Sequence, residues 1–174
     1  AARMGDALAA GGIPGAYEGA LTYAGNPALV GRAHFARFLV ERRYARDVKS
    51  VFDHYLVAGK PGYVEHQWAT LAEAIEWIRD SGGMAVVAHP GRYRLTLQEM
   101  RNFLTKFQEL GGQGVEVISG AHSSEQYREY GQLARAFGLL ASRASDFHGP
   151  GESKIDLGSL PNLPLDLKPV WHDW

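Results

Sequence analysis

Residues 84–94, Met-Ala-Val-Val-Ala-His-Pro-Gly-Arg-Tyr-Arg, decide the fold of this chain. An apolar run ends in His89 and is followed by a Pro-Gly break. A run of this length predicts a strand buried on both faces, as in a parallel sheet covered by helices. We therefore expect His89 at the carboxyl end of a parallel strand, where open α/β sheets and β/α barrels carry their functional residues.

A pattern of helix, glycine stop and apolar strand recurs after Thr70. The helices have start signals or an apolar period of 3.6 residues, and each ends at glycine. Helices are predicted over 70–81, 96–110 and 124–137, and strands over 84–88, 114–118 and 139–142. The alternation predicts an α/β fold with a parallel sheet.

Residues 1–62 differ from the rest because they contain no strand pattern. Asn26-Pro27 predicts the start of a helix that runs to about Arg43, and Asp47 predicts the cap of a shorter one. The apolar face of the longer helix would contain Leu29, Ala33, Ala36 and Val40. We therefore predict a small helical domain over 1–62 and an α/β domain over 63–174.

Composition excludes several classes of protein. The chain has 18 basic and 19 acidic residues. This near balance argues against binding to nucleic acid or membrane through net positive charge. No apolar run approaches the roughly 20 residues of a membrane span. The chain has no cysteine, so a metal site must use His, Asp and Glu. We expect a cytoplasmic protein and, because the chain begins Ala-Ala-Arg-Met, a fragment of a longer one.

Polar residues follow each predicted strand. His89 follows the first, residues 119–122 the second, and Asp146 with His148 the third. Because the carboxyl ends of parallel strands lie at one edge, we expect these side chains to converge. Carboxylate and imidazole ligands suit Mn²⁺, Fe²⁺, Zn²⁺ or Mg²⁺. Such a metal lowers the pKa of bound water and binds a phosphoryl oxygen.

Each of these residues also has a structural interpretation. A histidine after a strand often caps or packs, Asp-x-His is a common loop sequence, and His122 can cap the helix that follows it. Arg32 and His34 would ordinarily be solvated surface residues. From the residues alone, the prediction is an α/β protein with a metal-assisted hydrolase site.

Several segments together carry a more specific signal. They are residues 82–93 with Ala88-His89-Pro90, residues 112–123, Ser145-Asp146-Phe147-His148, residues 26–37, and residues 59–68 with His66-Gln67-Trp68. In combination they resemble the PHP (polymerase and histidinol phosphatase) family. The resemblance is to its bacterial subgroup of 3′,5′-nucleoside bisphosphate phosphatases and 5′-end-trimming ribonucleases, and it covers essentially the whole chain.

The resemblance implies a role for several residues. His89, Asp146 and His148 match metal ligands of the family, and the metals would be divalent, with Mn²⁺ preferred over Mg²⁺, Fe²⁺ or Zn²⁺. Arg32 and His34 match residues of a helical insertion that bind substrate phosphate. Their spacing of two requires a helix start or distortion near Gly31, since an ideal helix places them on different faces. Arg92 and His122 are additional candidates at the rim.

The chain departs from the family in its metal ligands. The family fold is a distorted (β/α)₇ barrel whose other ligands, including a His-x-His pair, come from its N-terminal half. No His-x-His occurs here, and a full barrel needs about 250 residues. We therefore expect the C-terminal part of the barrel preceded by its helical insertion, with one weakly held metal. The missing half, or a second chain, would be needed to complete it.

The resemblance implies a metal-dependent phosphomonoesterase. It would hydrolyse the 3′-phosphate of nucleoside 3′,5′-bisphosphates, or trim short RNA 5′ ends, with Arg32 and His34 on the 5′-phosphate. The alternatives are a non-catalytic C-terminal fragment and a phosphatase for another small phosphate ester.

Overall fold

The computed structural model describes residues 1–66, 68–150 and 155–173. Predictions that involve Gln67 and Gly151 lie outside these residues. The chain divides into two compact units, Ala1–Trp68 and Ala69–Trp174. We call them the helical unit and the α/β unit. The division falls six residues after the boundary predicted at residue 62.

The helical unit consists of short helices around a small apolar core. The helices are α1 Ala2–Ala10, α2 Ala16–Leu21, α3 Arg32–Glu41 and α4 Val48–Val51, with a 3₁₀ turn at Pro27–Leu29 and a π turn at Phe52–Leu56. Leu8, Phe35, Leu39, Val51 and Leu56 are completely buried. These apolar side chains hold the short helices together, because helices of this length are marginal alone.

The helix predicted from Asn26 to about Arg43 is wrong in its first third. The Asn26 side chain accepts a hydrogen bond from the Ala28 N–H, but it caps only the 3₁₀ turn. Val30 and Gly31 are extended, and α3 begins at Arg32. Leu29 is 71% exposed and lies outside the core face predicted for it. The extended backbone at Gly31 creates the helix start that the spacing of Arg32 and His34 requires.

The α/β unit alternates helices with strands. Its elements are α5 Leu71–Asp80, β1 Val86–Val87, α6 Leu97–Glu109, β2 Gly114–Ser119, α7 Ser124–Phe137 and β3 Leu140–Ala144. The strands form a parallel sheet in the order β1-β2-β3. The predicted α/β class and parallel sheet are therefore confirmed.

The helix starts follow the sequence signals closely. Thr70 with Glu73 and Thr96 with Glu99 form the predicted capping boxes of α5 and α6. A further box, Ser123 with Gln126, starts α7. Each box satisfies N–H groups that the first turn leaves without an intrahelical partner.

The strands are less regular than predicted. Only Val86 and Val87 of the apolar run pair with β2, so β1 has two residues. On the other side of the sheet, the C-terminal segment lies against β3: the Val170 N–H donates to the Ala141 carbonyl, and the Ala141 N–H donates to the Lys168 carbonyl. The segment around Val170 therefore packs back onto β3. Within the described part of the chain, no helix has the length and apolar character needed to cross a membrane.

Candidate functional site

His89 follows β1 and has a strained backbone. Its φ of 33° and ψ of 55° lie in the left-handed region, which costs a non-glycine residue about 1–2 kcal/mol. Among the described residues, positive φ angles outside glycine occur at Arg43, His89 and Asp146. Two of these three are predicted metal ligands. Strain of this kind is concentrated at functional sites, where surrounding contacts hold it in place.

Glu116 of β2 anchors the His89 backbone. Its side chain is buried, and Oε2 accepts a hydrogen bond of 2.5 Å from the His89 N–H. The Ser119 side chain also bonds the carboxyl group. Burial raises the pKa of Glu116 above its usual range, against the opposing effect of these hydrogen bonds. A buried carboxyl group of β2 thus fixes the loop that carries His89.

The His89 ring has one nitrogen without a partner. Nδ1 is buried and has no hydrogen-bond partner in the part of the chain that the structure describes. Tyr93 lies edge-to-face against the ring at a centroid distance of 6.3 Å. A buried polar atom without a partner costs about 1–3 kcal/mol. A ligand that accepts the imidazole lone pair would remove this cost.

Asp146 follows β3 at the same edge of the sheet. Its φ is 55°, and its Oδ2 lies 3.3 Å from Nη1 of Arg92, in the turn after His89. The loops after β1 and β3 therefore meet through the contact of Arg92 with Asp146. The loops after β2 and β3 also lie close together, because a Cβ on Gly120 would be 2.0 Å from the Ser145 carbonyl oxygen.

His148 is exposed and bonded within its own loop. Its Nδ1 lies 2.8 Å from the Asp146 carbonyl oxygen. Because a carbonyl oxygen only accepts, this contact assigns the ring proton to Nδ1 and the lone pair to Nε2. Histidines that bind metals commonly donate their second N–H to a carbonyl in this way.

His122 is hydrogen-bonded through both of its ring nitrogens. Its Nδ1 lies 3.2 Å from the Val117 carbonyl oxygen, and its Nε2 accepts a hydrogen bond of 3.0 Å from the Gly91 N–H. Both nitrogens are thus used to attach the Pro90–Arg92 turn to β2. Burial lowers the pKa of His122, which favours the neutral ring that these two bonds require. Ser123, and not His122, caps α7.

The predicted ligands do not form a compact cluster. Within residues 1–66, 68–150 and 155–173, no group of three or more His, Asp or Glu side chains is close enough to hold a metal ion. The structure brings the loops of His89, Arg92 and Asp146 together at one rim, while Asp146 is directed to Arg92.

Arg32 and His34 lie at the start of α3 in the helical unit. The His34 Nδ1 accepts a hydrogen bond of 3.0 Å from the Gly31 N–H, so the neutral ring carries its proton on Nε2. The Arg32 guanidinium lies 5.8 Å from the centre of the Phe52 ring and lines a cavity of about 520 Å³. Arg32 and the His34 Nε2–H are therefore hydrogen-bond donors near one helix start.

Sequence reasoning missed Glu116. The signal was available, because Glu116 is the one charged residue in a strand predicted to be buried on both faces, and a buried carboxylate needs a specific partner. The strand was identified from its apolar residues, and the charge within it was left without a role. The partner, the His89 N–H, lies 27 residues away in sequence and could not be identified from spacing.

Comparisons with known proteins agree with the resemblance of the sequence. The chain is 46% identical over 173 residues to a 3′,5′-nucleoside bisphosphate phosphatase of Chromobacterium violaceum, and 44% identical over 162 residues to the 5′-3′ exoribonuclease Rnm of Salmonella typhimurium. The resemblance to this group of phosphoesterases is confirmed. No family model matches the chain.

Two solved structures share the fold. An amidohydrolase of C. violaceum, solved with sulfate and without metal, superposes with a TM-score of 0.86 at 46% identity, over 97% of this chain and 58% of the other. A candidate metal-dependent phosphoesterase of Bifidobacterium adolescentis superposes with a TM-score of 0.66 over 89% of this chain and 53% of the other; its 24% identity supports the fold alone.

The relatives are longer than this chain. The matches cover 99% and 93% of the chain but only 61% of the Chromobacterium phosphatase and 55% of the Salmonella exoribonuclease. The chain thus spans somewhat more than half the length of the curated relatives it matches.

Proposed function

We propose that this chain is part of a metal-dependent phosphomonoesterase that removes the 3′-phosphate from nucleoside 3′,5′-bisphosphates or acts at the 5′ end of short RNA. The observation that carries the proposal is the strained rim, where His89 and Asp146 both have positive φ angles and the buried Nδ1 of His89 has no partner among the described residues. The names of the relatives support the choice of substrate.

The donor atoms at the rim fit a divalent cation. His89 and His148 supply imidazole nitrogens and Asp146 a carboxylate, a mixture that suits Mn²⁺, with Mg²⁺, Fe²⁺ and Zn²⁺ as alternatives. A bound cation would supply positive charge to a phosphoryl oxygen and acidify water. Because the described residues form no three-donor cluster, we infer that side-chain rotation and further donors complete the site. These would come from the remainder of the barrel or a second chain.

Other residues of the chain would hold the substrate in position. Arg32 and the Nε2–H of His34 would donate to the 5′-phosphate. The Arg92 guanidinium neutralises and orients the Asp146 carboxylate through their 3.3 Å contact. Glu116 keeps the His89 backbone in its left-handed conformation. We expect this chemistry in the cytoplasm, in agreement with a chain that lacks cysteine.

Replacing Arg32 tests the substrate assignment. In the full-length protein with Mn²⁺, Arg32→Ala should raise KM for adenosine 3′,5′-bisphosphate by about 10- to 100-fold, because a charge-assisted contact to phosphate is lost. Hydrolysis of adenosine 3′-monophosphate, which has no 5′-phosphate, should change little. The measurement is phosphate release at several concentrations of each substrate.

Arg42→Ala is the matched control. Arg42 follows α3 at its other end and lies 5.5 Å from the centre of an aromatic ring, that of Phe38, as Arg32 does from Phe52. The Arg42→Ala variant should hydrolyse both substrates with the KM of the wild type. If Arg32→Ala reduced the hydrolysis of both substrates by the same factor, a contact of Arg32 with the 5′-phosphate would be excluded.

A further inference from the structure

The cavity of the helical unit contains groups that the phosphate contact does not explain. Its lining residues include the basic residues Arg3 and Arg32 and the aromatic residues Tyr63, His66 and Trp68. Its volume of about 520 Å³ lies within the range of small-ligand pockets, about 300–1,000 Å³. A ligand that uses all of these groups needs both an aromatic face and negative charge.

Trp68 has an unusual environment at this cavity. It is 74% exposed, and the His66 ring packs edge-on against it at a centroid distance of 4.6 Å and an angle of 83°. Tyr63 is also 40% exposed. An exposed tryptophan ring presents a flat apolar surface, which is the feature on which nucleobases stack.

The cations of the cavity have no acidic partners. Among the described residues, neither Arg3 nor Arg32 has a carboxylate within ion-pair distance, and Arg32 contacts only the ring of Phe52 through its charge. Glu65 is the acidic residue of the lining. Its carboxylate can accept a hydrogen bond from an exocyclic amine of a base, whereas it would repel a second phosphate.

We propose that this cavity is the binding site for the base of the 5′ nucleotide, which stacks on Trp68 while its phosphate contacts Arg32 and Arg3. Cations and an aromatic face in one concave site match a nucleotide, because a phosphorylated sugar would not use the face. The proposal rests on the proposed function for the phosphate contact of Arg32. It adds Trp68 as a base-stacking residue and Arg3 as a further phosphate donor beside Arg32 and His34.

A comparison of two ligands separates base from phosphate. Binding of adenosine 3′,5′-bisphosphate and of its abasic analogue is measured by calorimetry in EDTA, so that no turnover occurs. Trp68→Ala should weaken binding of the nucleotide by about 10-fold, the usual effect of one stacked base, and leave the abasic analogue unchanged. Trp68→Phe should restore most of the affinity. Arg3→Ala should weaken binding of both ligands.

Trp77→Ala provides the control, because Trp77 is 61% exposed but lies on α5, outside the cavity. It should bind both ligands like the wild type. The proposal would be overturned if Trp68→Ala bound the nucleotide with the affinity of the wild type. It would also be overturned if Trp68→Ala lost the same factor of affinity for the nucleotide and for the abasic analogue. Base-dependent binding without phosphate release would contradict the proposed function alone. Phosphate release with an unchanged KM in Trp68→Ala would contradict only this inference.

Discussion

At the scale of single residues, the rim is held by a few specific contacts. His89 adopts a conformation that costs free energy, and its N–H is satisfied by the buried Glu116 carboxyl group. Asp146 is strained in the same way and is held by Arg92. The close approach of the loops after β2 and β3 depends on Gly120, since a side chain there would collide with the Ser145 carbonyl group. Each contact that holds the rim joins two residues and can be tested singly.

Removing the Glu116 side chain should destabilise the protein. Glu116→Ala leaves the His89 N–H without its partner, so the free energy of unfolding should fall by about 1–3 kcal/mol. Glu116→Gln retains an oxygen that accepts this hydrogen bond and should cost less. Chemical denaturation of the variants checks both values.

Glu125→Ala is the control for this measurement. Glu125 lies on α7 with a side chain that is 77% exposed, and exposed substitutions usually change stability by less than about 0.5 kcal/mol. A Glu116→Ala protein as stable as Glu125→Ala would show that the carboxyl group does not hold the loop.

At the scale of elements, local signals determine the helices of the α/β unit. The capping boxes of α5 and α6 lie where the sequence predicts them. The Glu99 carboxylate accepts hydrogen bonds from the N–H and the hydroxyl of Thr96, and these bonds lower its pKa from the usual 4.5. A helix start that depends on a carboxylate is sensitive to acid.

The capping box of α6 should therefore weaken at low pH. A carboxylate with a lowered pKa stabilises the fold above its unfolded pKa, and this stabilisation is lost as the pH falls below about 4.5. The wild type should unfold at a higher temperature than Glu99→Gln at pH 7, and the difference should shrink between pH 4.5 and pH 3. Thermal unfolding across this range measures it.

Glu109→Gln is a suitable control, because Glu109 ends α6 and bonds only Lys106 among the described residues. Its melting temperature should follow that of the wild type at each pH. A difference between Glu99→Gln and wild type that stays constant from pH 7 to pH 3 would contradict the assignment of the cap to the carboxylate.

The sequence predicted the elements whose start and stop signals are local. It did not predict element boundaries that depend on contacts between residues far apart in the chain. Thr96 with Glu99 and the glycine stops predict helix ends from neighbouring residues alone. Asn26 gave a valid cap signal, but the extended Gly31 ended the helix after one turn. β1 is shorter than its apolar run because only two residues find partners on β2.

The same distinction applies to the site. His89 and Asp146 each follow a predicted parallel strand. Because the carboxyl ends of parallel strands lie at one edge of the sheet, this position alone predicted that both residues lie there. The bonds of His122 to Gly91 and Val117 depend on side-chain positions that spacing does not specify. The assignments of His89, Asp146 and His148 as metal ligands and of Arg32 and His34 as phosphate contacts stay predictions.

At the scale of the whole molecule, the chain combines two units with different chemistry. The helical unit offers cations and aromatic rings at a cavity, and the α/β unit offers imidazole and carboxylate groups at a sheet edge. In the described sheet, β1 is an edge strand, and the curated relatives extend well beyond the length that this chain matches. We expect further strands, from the same or another chain, to pair with β1 and to bring additional ligands to the rim.

The central claim is that the rim of His89 removes the 3′-phosphate. The most direct measurement is the product formed from adenosine 3′,5′-bisphosphate by the full-length protein with Mn²⁺, identified by ³¹P NMR. We predict adenosine 5′-monophosphate and phosphate, and a rate at least about 100-fold lower in His89→Ala. Adenosine 3′-monophosphate as the product, or a wild-type rate in folded His89→Ala, would contradict the claim.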